Sequence, residues 1–443
     1  MSNPKVSIII PVFNSENLLK DCLKSVKNQT LNDIEIICVD DGSTDSSSEI
    51  LDDFSKKDSR FKIFHQKNHG AGFSRNVALK KVTGEFILFL DSDDWIEKDT
   101  CEKLYYHAIN LDSDVVLFDA VRHLPNNQSI DLIHFLGNER NKDFSSLSFD
   151  YKFIKDKVLN AYFGVIWSKF YKTSFIKENK IEFPNHKLYN DVEFHIKSLL
   201  LSKRISYYPK IFYHYVRIGQ NSLQTVFVSS KESIVFYDVL CGVKKFLIEN
   251  NFFDEFKVEF LEFTFKEFQR KLNEINDEFK DQYFEKIKSF LSALNLSINE
   301  LNKISFRWLV FYIHIINSLD YDEFKFMEDN YDGIVDLDYE ISLNKSDNVE
   351  YMMILENKLS YLTSYVNELA ECLNLYQQKI SANKKLINNI YYNQEELMRL
   401  IDANNYLSCK NDDLILKNKN LKKELDDLNN KKFIRLYKKI FKI

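Results

Sequence analysis

The sequence predicts an α/β protein whose first half contains a Rossmann-like, mostly parallel sheet. Within residues 1–122, short apolar runs rich in Val and Ile alternate with amphipathic segments of helical period. Strands that alternate with helices form right-handed crossovers and therefore a parallel sheet. Glycine and proline are scarce, at 9 and 5 of 443 residues, which favours helices over long irregular loops.

Five strands are expected in this half, at residues 6–10, 34–39, 61–65, 86–90 and 115–118. The first should stop at Pro11, because proline donates no backbone hydrogen bond to a sheet. The fourth is apolar throughout, as expected for a strand buried on both faces. Helices are expected at about 16–27, 45–54 and 100–110, and another should begin after Gly72.

Three carboxylates, those of Asp91, Asp93 and Asp94, directly follow the fourth strand. They repel one another, so holding them together is costly without a cation. Mg²⁺ and Mn²⁺ prefer oxygen ligands and leave positions open for phosphate groups. The stretch predicts a metal–diphosphate site at the carboxyl edge of the sheet, where such sheets bind ligands. Taken alone, it is explained equally well by an acidic turn that caps the next helix.

Composition and missing motifs narrow the function. No G-x-G-x-x-G follows the first strand and no P-loop motif is present, so neither of those nucleotide sites is expected. The net charge of −6 argues against a nucleic-acid partner. The six cysteines form no C-x-x-C pair, and no signal peptide or membrane-spanning run is evident. We therefore expect reduced thiols and a cytoplasmic protein.

Four segments stand out in the first half: VSIIIPVFN at 6–14, VDDGSTD at 39–45, GAGFSRN at 70–76 and GEFILFLDSDD at 84–94. In this order and spacing they resemble the successive signatures of the family-2 inverting glycosyltransferases, which have the GT-A fold. The resemblance implies a GT-A catalytic domain of the bacterial or archaeal surface-glycan type. It also implies a nucleotide-diphosphate sugar, most simply UDP-linked, as donor.

Carried over by position, the resemblance implies a donor pocket at the carboxyl ends of the strands. Its residues would be Pro11, Val12, Phe13, Asn14, Asp40, Asp41, Arg75, Asp91 and Ser92. Asp41 would accept a hydrogen bond from the base, Arg75 would face the diphosphate, and Asp91 would touch ribose or sugar. Asp93 would bind the metal ion, Mn²⁺ or Mg²⁺.

An inverting transfer needs one base that deprotonates the acceptor hydroxyl. The family usually places it in a Glu-Asp pair at the start of a helix, and here the pair is Asn190-Asp191. We therefore assign the base to Asp191, and the change at Asn190 puts a role of that position in acceptor binding in doubt. Without the resemblance, Asp191 would be interpreted as a helix cap.

Three later residues are weaker candidates. His214 lies in a Tyr-His-Tyr triplet that resembles the family's late segment, so it is predicted to bind the metal, and Arg217 to bind phosphate. Trp167 would stack on an acceptor sugar. A structural histidine and a core tryptophan remain the alternatives.

The rest of the chain is predicted to be helical. We expect a glycosyltransferase domain at 1–228, a helical domain at 229–345, a coiled coil at 346–430 and a basic amphipathic tail at 431–443. Leucines at three- and four-residue steps predict the coiled coil and hence a homo-oligomer, for which a parallel dimer is our choice. The tail has six basic residues and suits an anionic membrane surface, which would make the protein peripheral on the inner face of the cell membrane.

The leading hypothesis is a metal-dependent, inverting glycosyltransferase that acts on a hydroxyl of a glycan or lipid-linked acceptor. Two alternatives stay open at this point. A sugar nucleotidylyltransferase has a similar fold but would need a Gly-rich, Lys-bearing loop after the first strand. A coiled-coil scaffold with an inactive transferase domain would not need intact Asp41, Asp91, Asp93 and Asp191.

Overall fold

The structure is a computed structural model. It describes residues 3–124, 128–132, 146–159, 165–186, 188–216, 234–294, 296, 300 and 303–329, with separate positions between 403 and 420. The chain divides into two compact units, Met1–Ile316 and Asn317–Ile443. The predicted tail, Arg217 and nearly all of the predicted coiled coil lie outside the described residues.

The described part of the first unit contains a ten-stranded sheet. Its strands are β1 (Val6–Val12), β2 (Ile34–Asp40), β3 (Phe61–His65), β4 (Phe86–Phe89), β5 (Trp95–Ile96), β6 (Val115–His123), β7 (Ser129–Leu132), β8 (Ser148–Phe149), β9 (Lys169–Lys172) and β10 (Ile205–Val216). They are ordered β3-β2-β1-β4-β9-β6-β10-β5, with β7 beside β6 and β8 beside β10.

The sheet is mixed, but its long strands mostly run in one direction. Pairing is parallel along β3-β2-β1-β4 and between β6 and β10. Strand β9 is antiparallel to both β4 and β6, so it joins the two parallel parts without changing their common direction. The carboxyl ends of β1, β2 and β4 therefore meet at one edge, which confirms the predicted α/β architecture.

Helices cover the sheet and make up the later part of the described chain. They are α1 (Leu19–Lys27), α2 (Ser47–Lys57), α3 (Ala71–Leu79), α4 (Thr100–Asn110), α5 (Lys155–Val158), α6 (Thr173–Glu178), α7 (Asn190–Leu200), α8 (Phe236–Glu249), α9 (Phe253–Glu274), α10 (Asp277–Ser292), α11 (Phe306–Asn317) and α12 (Tyr321–Asp329). A 3₁₀ turn, Tyr151–Ile154, precedes α5. None of the described helices is both long and apolar enough to cross a membrane.

Several predicted boundaries were wrong. Strand β1 continues through Pro11, which pairs with Val39 of β2. The register between β1 and β4 ends at the pair Ile9 and Phe89, so Pro11 has no partner in β4. Strand β10 contains a bulge, and β5, β7, β8 and β9 were missed.

The core lies between the sheet and its helices. The amphipathic face of α1 buries Leu19, Cys22, Leu23 and Val26 in one apolar cluster with residues of β1 and β2, as its period predicts. Cys22, Cys38 and Cys101 are buried and unbridged, which agrees with reduced thiols. In the later helices, a dense set of phenylalanines forms a second apolar layer; it includes Phe246, Phe256, Phe260, Phe263 and Phe265.

Glu35 is a buried carboxylate that is hydrogen-bonded to β1, to β3 and to the turn before β4. Its Oε1 accepts hydrogen bonds from Ser7 Oγ at 2.5 Å and the Thr83 and Gly84 N–H groups at 2.7 and 3.1 Å. Its Oε2 accepts from Lys62 Nζ at 2.5 Å and Thr83 Oγ1 at 3.0 Å. Burial alone would raise the pKa of Glu35, but these hydrogen bonds outweigh burial and lower it.

We predict that Glu35→Gln lowers the free energy of unfolding by about 2 kcal/mol at pH 7, because the amide places a donor among donors. The folded-state pKa of Glu35 is depressed, so its contribution is present above about pH 4.3 and lost as pH falls further. Denaturant unfolding of both proteins from pH 8 to pH 3.5 measures this, with the exposed Glu49→Gln as control. A constant difference over the whole range would contradict it.

Candidate active site

The site forms where the turns after β1, β2 and β4 meet the first turns of α3 and α7. Asp41 follows β2 and Asp91 follows β4, while Arg75 lies on α3 and Asp191 on α7. Parallel strands place these turns side by side, so residues far apart in sequence share one cleft. The described residues thus bring together the predicted donor residues and the predicted base.

Arg75 is the central contact of the site. It is buried, and its Nη2 donates to Asp91 Oδ1 at 2.6 Å while its Nη1 donates to Asn190 Oδ1 at 3.0 Å. The guanidinium lies over the Phe183 ring at 5.5 Å. One cation therefore connects the turn after β4 with the start of α7. The diphosphate role predicted for Arg75 stays a prediction.

The three carboxylates after β4 have three different environments. Asp91 is paired with Arg75. Asp94 is 1% exposed, and it accepts hydrogen bonds from Tyr213 Oη at 2.5 Å and the Val216 N–H at 2.8 Å. Burial and repulsion from the other two carboxylates raise the pKa of Asp94. It anchors β10 to the turn.

Asp93 is the most exposed of the three carboxylates. Its side chain is open to solvent on one side, yet protein atoms surround the other sides. This partial desolvation, and then repulsion from Asp91, raises the pKa of Asp93 to about 6. A nearby cation would favour its charged form, so the position suits a metal ligand.

Asp191 occupies the second residue of α7, next to Asn190. The residue as a whole is half-buried. Burial of its carboxyl raises the pKa of Asp191, while the positive charges of Arg75 and Lys169 oppose the rise. Lys169 itself is fully buried, and burial lowers its pKa to about 7. A carboxylate with a raised pKa is a better proton acceptor than an ordinary aspartate.

The turn after β2 is held by its own aspartates. Asp41 is buried and accepts from Gln66 Nε2 at 2.7 Å and from the N–H groups of His69 and Gly70 at 2.9 and 2.7 Å. Asp40 accepts from the Ser43 N–H and contacts His65 Nδ1, both at 3.0 Å. Burial would raise the pKa of Asp40, but these contacts outweigh it and lower the pKa.

These contacts give Asp41 three protein donors before any nucleotide binds. A carboxylate has about four acceptor positions, so one remains for the base. The role predicted for Asp41 therefore stays a prediction, and its observed contacts order the loop that leads into α3.

The remaining donor candidates line the same edge. Pro11 and Val12 are buried in β1, and Phe13 is half-buried. Asn14 has a left-handed backbone (φ 47°), and its Oδ1 accepts from the Thr44 N–H at 2.8 Å. Ser92 Oγ lies 2.7 Å from Ser15 Oγ. Their contacts with a donor stay a prediction.

His214 and Trp167 are packed into protein. His214 Nδ1 lies 2.9 Å from His123 Nε2 and its Nε2 lies 3.0 Å from Glu97 Oε1, while its ring stacks on Trp95 at 3.4 Å. With both nitrogens engaged, His214 would have to release a partner before it bound a metal. Trp167 is 8% exposed and stacks on Tyr213 at 4.4 Å, the packing alternative left open for it.

Sequence reasoning missed Tyr213, which supports the turn after β4 through Asp94 and also accepts the Asp91 N–H at 3.2 Å. The Tyr-His-Tyr triplet carried a usable signal. Side chains alternate along a strand, so Tyr213 and His214 must face opposite sides of the sheet. The pairing of His214 with His123 had no local signal, because 91 residues separate the two.

Comparison with known proteins decides the family. Residues 7–175 match the model of glycosyl transferase family 2. EpsH of Bacillus subtilis, whose name describes a glycosyltransferase, is 32% identical over 269 residues, which are 58% of this chain and 74% of EpsH. The chain belongs to glycosyl transferase family 2. It is therefore a glycosyltransferase.

Two further matches extend the comparison. The enzyme is 32% identical over 303 residues to the poly(ribitol-phosphate) β-glucosyltransferase of Bacillus spizizenii, which covers 66% of this chain and 45% of that protein. The crystal structure of S. aureus TarS 1-349 in complex with UDP-GlcNAc matches with a TM-score of 0.60 and 25% identity, over 74% of this chain and 91% of that one. The predicted GT-A-type fold is confirmed.

A metal ion in this site would be bound mainly by oxygen atoms of the substrate. Within the described ranges, no three His, Cys, Asp or Glu side chains of the enzyme are grouped so that they could hold a metal ion. Mg²⁺ is commonly bound through one or two carboxylates together with substrate phosphates. The exposed carboxylate of Asp93 fits a metal that is held largely by a diphosphate.

We predict that Gly72→Ala disturbs the contact between α3 and α7. A Cβ at Gly72 would lie 2.9 Å from both Cβ and Cγ of Asn190. On an open helix the same change stabilises by roughly 1 kcal/mol, whereas here overpacking should lower the free energy of unfolding by about 1–3 kcal/mol. Denaturant unfolding measures the sign.

The compensating variant is Gly72→Ala with Asn190→Gly, which removes the atoms that a new Cβ would meet. The double variant should have a higher free energy of unfolding than Asn190→Gly alone. A stabilising effect of the single Gly72→Ala change would show that α7 does not approach α3 so closely.

Proposed function

We propose that the enzyme transfers a sugar, with inversion, from a UDP-linked donor to a hydroxyl of a glycan or lipid-linked acceptor. The observation that supports this most directly is the placement of Asp191. It is a half-buried residue whose carboxyl has a raised pKa, in the cleft that also contains Arg75 and Asp91. Inverting transfer requires a base on one side of the sugar and charge stabilisation on the other.

In the proposed reaction, Asp191 accepts the proton of the acceptor hydroxyl as that oxygen forms a bond to the anomeric carbon. The bond from the anomeric carbon to the diphosphate oxygen breaks, and its electron pair leaves with UDP. Arg75 stays close to the departing charge and keeps Asp91 oriented through the 2.6 Å hydrogen bond.

Asp93 would hold the Mn²⁺ or Mg²⁺ ion. A divalent ion bound there would neutralise charge on the diphosphate as it leaves. The open side of Asp93 and its raised pKa support this assignment, because a cation relieves the repulsion from Asp91.

The choice of donor and acceptor is supported by relatives. TarS is seen with UDP-GlcNAc, and a relative from Bacillus spizizenii is named for the poly(ribitol-phosphate) that it glucosylates. We infer a UDP-sugar donor and a polyhydroxyl polymer of the bacterial surface, assembled in the cytoplasm, as the acceptor class. The four-part division of the chain, with a coiled-coil oligomer and a membrane-binding tail, stays a prediction.

We predict that Asp191→Asn lowers kcat by about 10²- to 10⁴-fold, the usual contribution of a positioned base. The wild-type rate should fall as pH drops through the raised pKa of Asp191, because only the carboxylate accepts a proton. Release of UDP from UDP-sugars across pH 5–9 measures both. The exposed Asp53→Asn on α2 is the control.

If Asp191→Asn kept wild-type turnover, the base would have to be another group. An acid limb at the pKa of an ordinary exposed aspartate would contradict the environment described for Asp191.

We predict that Asp93→Ala abolishes the stimulation of UDP release by Mn²⁺ while UDP binding without metal changes little. Asp93 contributes to UDP binding only through the ion, so calorimetric titration with and without Mn²⁺ separates the two effects. Equal Mn²⁺-stimulated activity in wild type and variant would reject the metal assignment. No hydrolysis by either protein would favour another donor or an inactive transferase domain.

A further inference from the structure

The helix that carries the proposed base begins in an unusual way. Tyr189 directly precedes α7 and has a left-handed backbone, with φ 56° and ψ 23°. Bulky residues rarely adopt this conformation, because Cβ crowds the following carbonyl. Tyrosine also lacks a short polar group that could cap the helix, and no side-chain cap is formed. Contacts from elsewhere must therefore hold the start of α7.

Lys271 on α9 supplies such a contact. Its side chain is 0% exposed, its Nζ donates a hydrogen bond to Tyr189 Oη, and the ammonium lies 4.1 Å from the centre of the Tyr189 ring. Phe236 of α8 packs edge-on against the same ring at 5.2 Å. The side chain of Tyr189 thus packs between residues of α8 and α9.

A second close approach keeps α7 against these helices. A Cβ at Gly242 of α8 would collide with the carboxylate of Glu193, which lies one helical turn after Asn190. Glu193 in turn accepts from Lys197 at 2.8 Å. The body of α7 is therefore seated independently of Tyr189, and Lys271 acts on the first turn.

The ammonium of Lys271 has a charged partner besides Tyr189. Its Nζ also donates to Glu274 Oε2 at 2.9 Å, and Glu274 is bonded to Arg270 Nη1 at 3.0 Å. A Lys271–Glu274 pair would exist without the tyrosine. The hydrogen bond to Tyr189 is thus an additional link from the charged cluster to the active site.

We propose that Lys271 is a positioning residue for the sugar transfer: it holds Tyr189 in the left-handed conformation that begins α7 and so places Asn190 against Arg75 and Asp191 in the cleft. This inference rests on the proposed role of Asp191 as the base. Both α7 and α9 lie beyond residues 7–175, the part that matches the family model. The helical region thereby acquires a function in catalysis.

The expected effect is larger on turnover than on donor binding. The donor-side residues Asp41, Asp91 and Asp93 follow β2 and β4, which do not touch Lys271 through the contacts above. A shift of about 1 Å in a reacting group can cost roughly 100-fold in rate. Asn190 also contacts Arg75, so loss of the tether should lower kcat more than the affinity for UDP.

The test uses the full chain with Lys271→Met, which keeps the length of the side chain and removes its donor. Glu274 keeps Arg270 as partner. We expect kcat to fall about 10- to 100-fold. The Kd for UDP should change less than kcat, and each variant is assayed below the midpoint of its own thermal unfolding. The control is Lys266→Met, an exposed lysine of the same helix.

Activity is measured with whichever of UDP-Glc, UDP-GlcNAc, UDP-Gal and UDP-GalNAc the wild type hydrolyses fastest with Mn²⁺. Hydrogen exchange of the amides at 190–194 gives a readout that does not depend on activity. These amides should exchange faster in Lys271→Met than in wild type or the control. Unchanged kcat or unchanged exchange would overturn the proposal, and so would an equal loss of kcat and UDP affinity.

Two double variants test whether Lys271 acts through Tyr189 and Asp191. In Tyr189→Phe, which lacks the hydroxyl, Lys271→Met should lower kcat no further; a full additional loss would place its action elsewhere. In Asp191→Asn, Lys271→Met should also have no further effect. If Asp191→Asn alone retained turnover, the proposed function would fail. If Asp191→Asn lost turnover while Lys271→Met did not, only the present inference would fail.

Discussion

The site depends on one buried cation that is shared between two segments. Arg75 donates to Asp91 after β4 and to Asn190 at the start of α7. A guanidinium can satisfy both because its donors point in fixed, diverging directions. Burying such a charge is costly unless it is well paired, so breaking either hydrogen bond would leave a poorly paired charge inside the protein. The turn after β4 and the start of α7 are for this reason tied to the same side chain.

The same cation organises the charges around it. Asp91 is paired with Arg75, Asp94 is buried and hydrogen-bonded to Tyr213, and Asp93 is left exposed. Three adjacent carboxylates would otherwise repel one another and open the turn. Distributing them among an ion pair, a buried hydrogen bond and solvent produces one acidic group that is available for a ligand. Asn190, neutral where the family usually has an acid, adds no further negative charge beside Arg75.

The strands, the first helices and the motif residues could be predicted because their signals are local. Apolar runs mark buried strands, and polar residues at their carboxyl ends mark the site. Pro11 misled because its effect depends on the length of the neighbouring strand, which no local pattern contains. Strand β9 was missed for a related reason: it is antiparallel, and its pairing with β4 and β6 is a tertiary fact. The roles of His214 and Tyr189 are set by partners 91 and 82 residues away.

The left-handed residue before α7 also bears on how this chain can be divided. A cut near residue 228 would follow the last recognisable motif and retain every donor-side residue. It would also remove Lys271 and Phe236, which grip Tyr189. The catalytic module is therefore wider than its sequence signature. A chimaera that exchanges the later helices between relatives would have to take Lys271 and Tyr189 from the same parent.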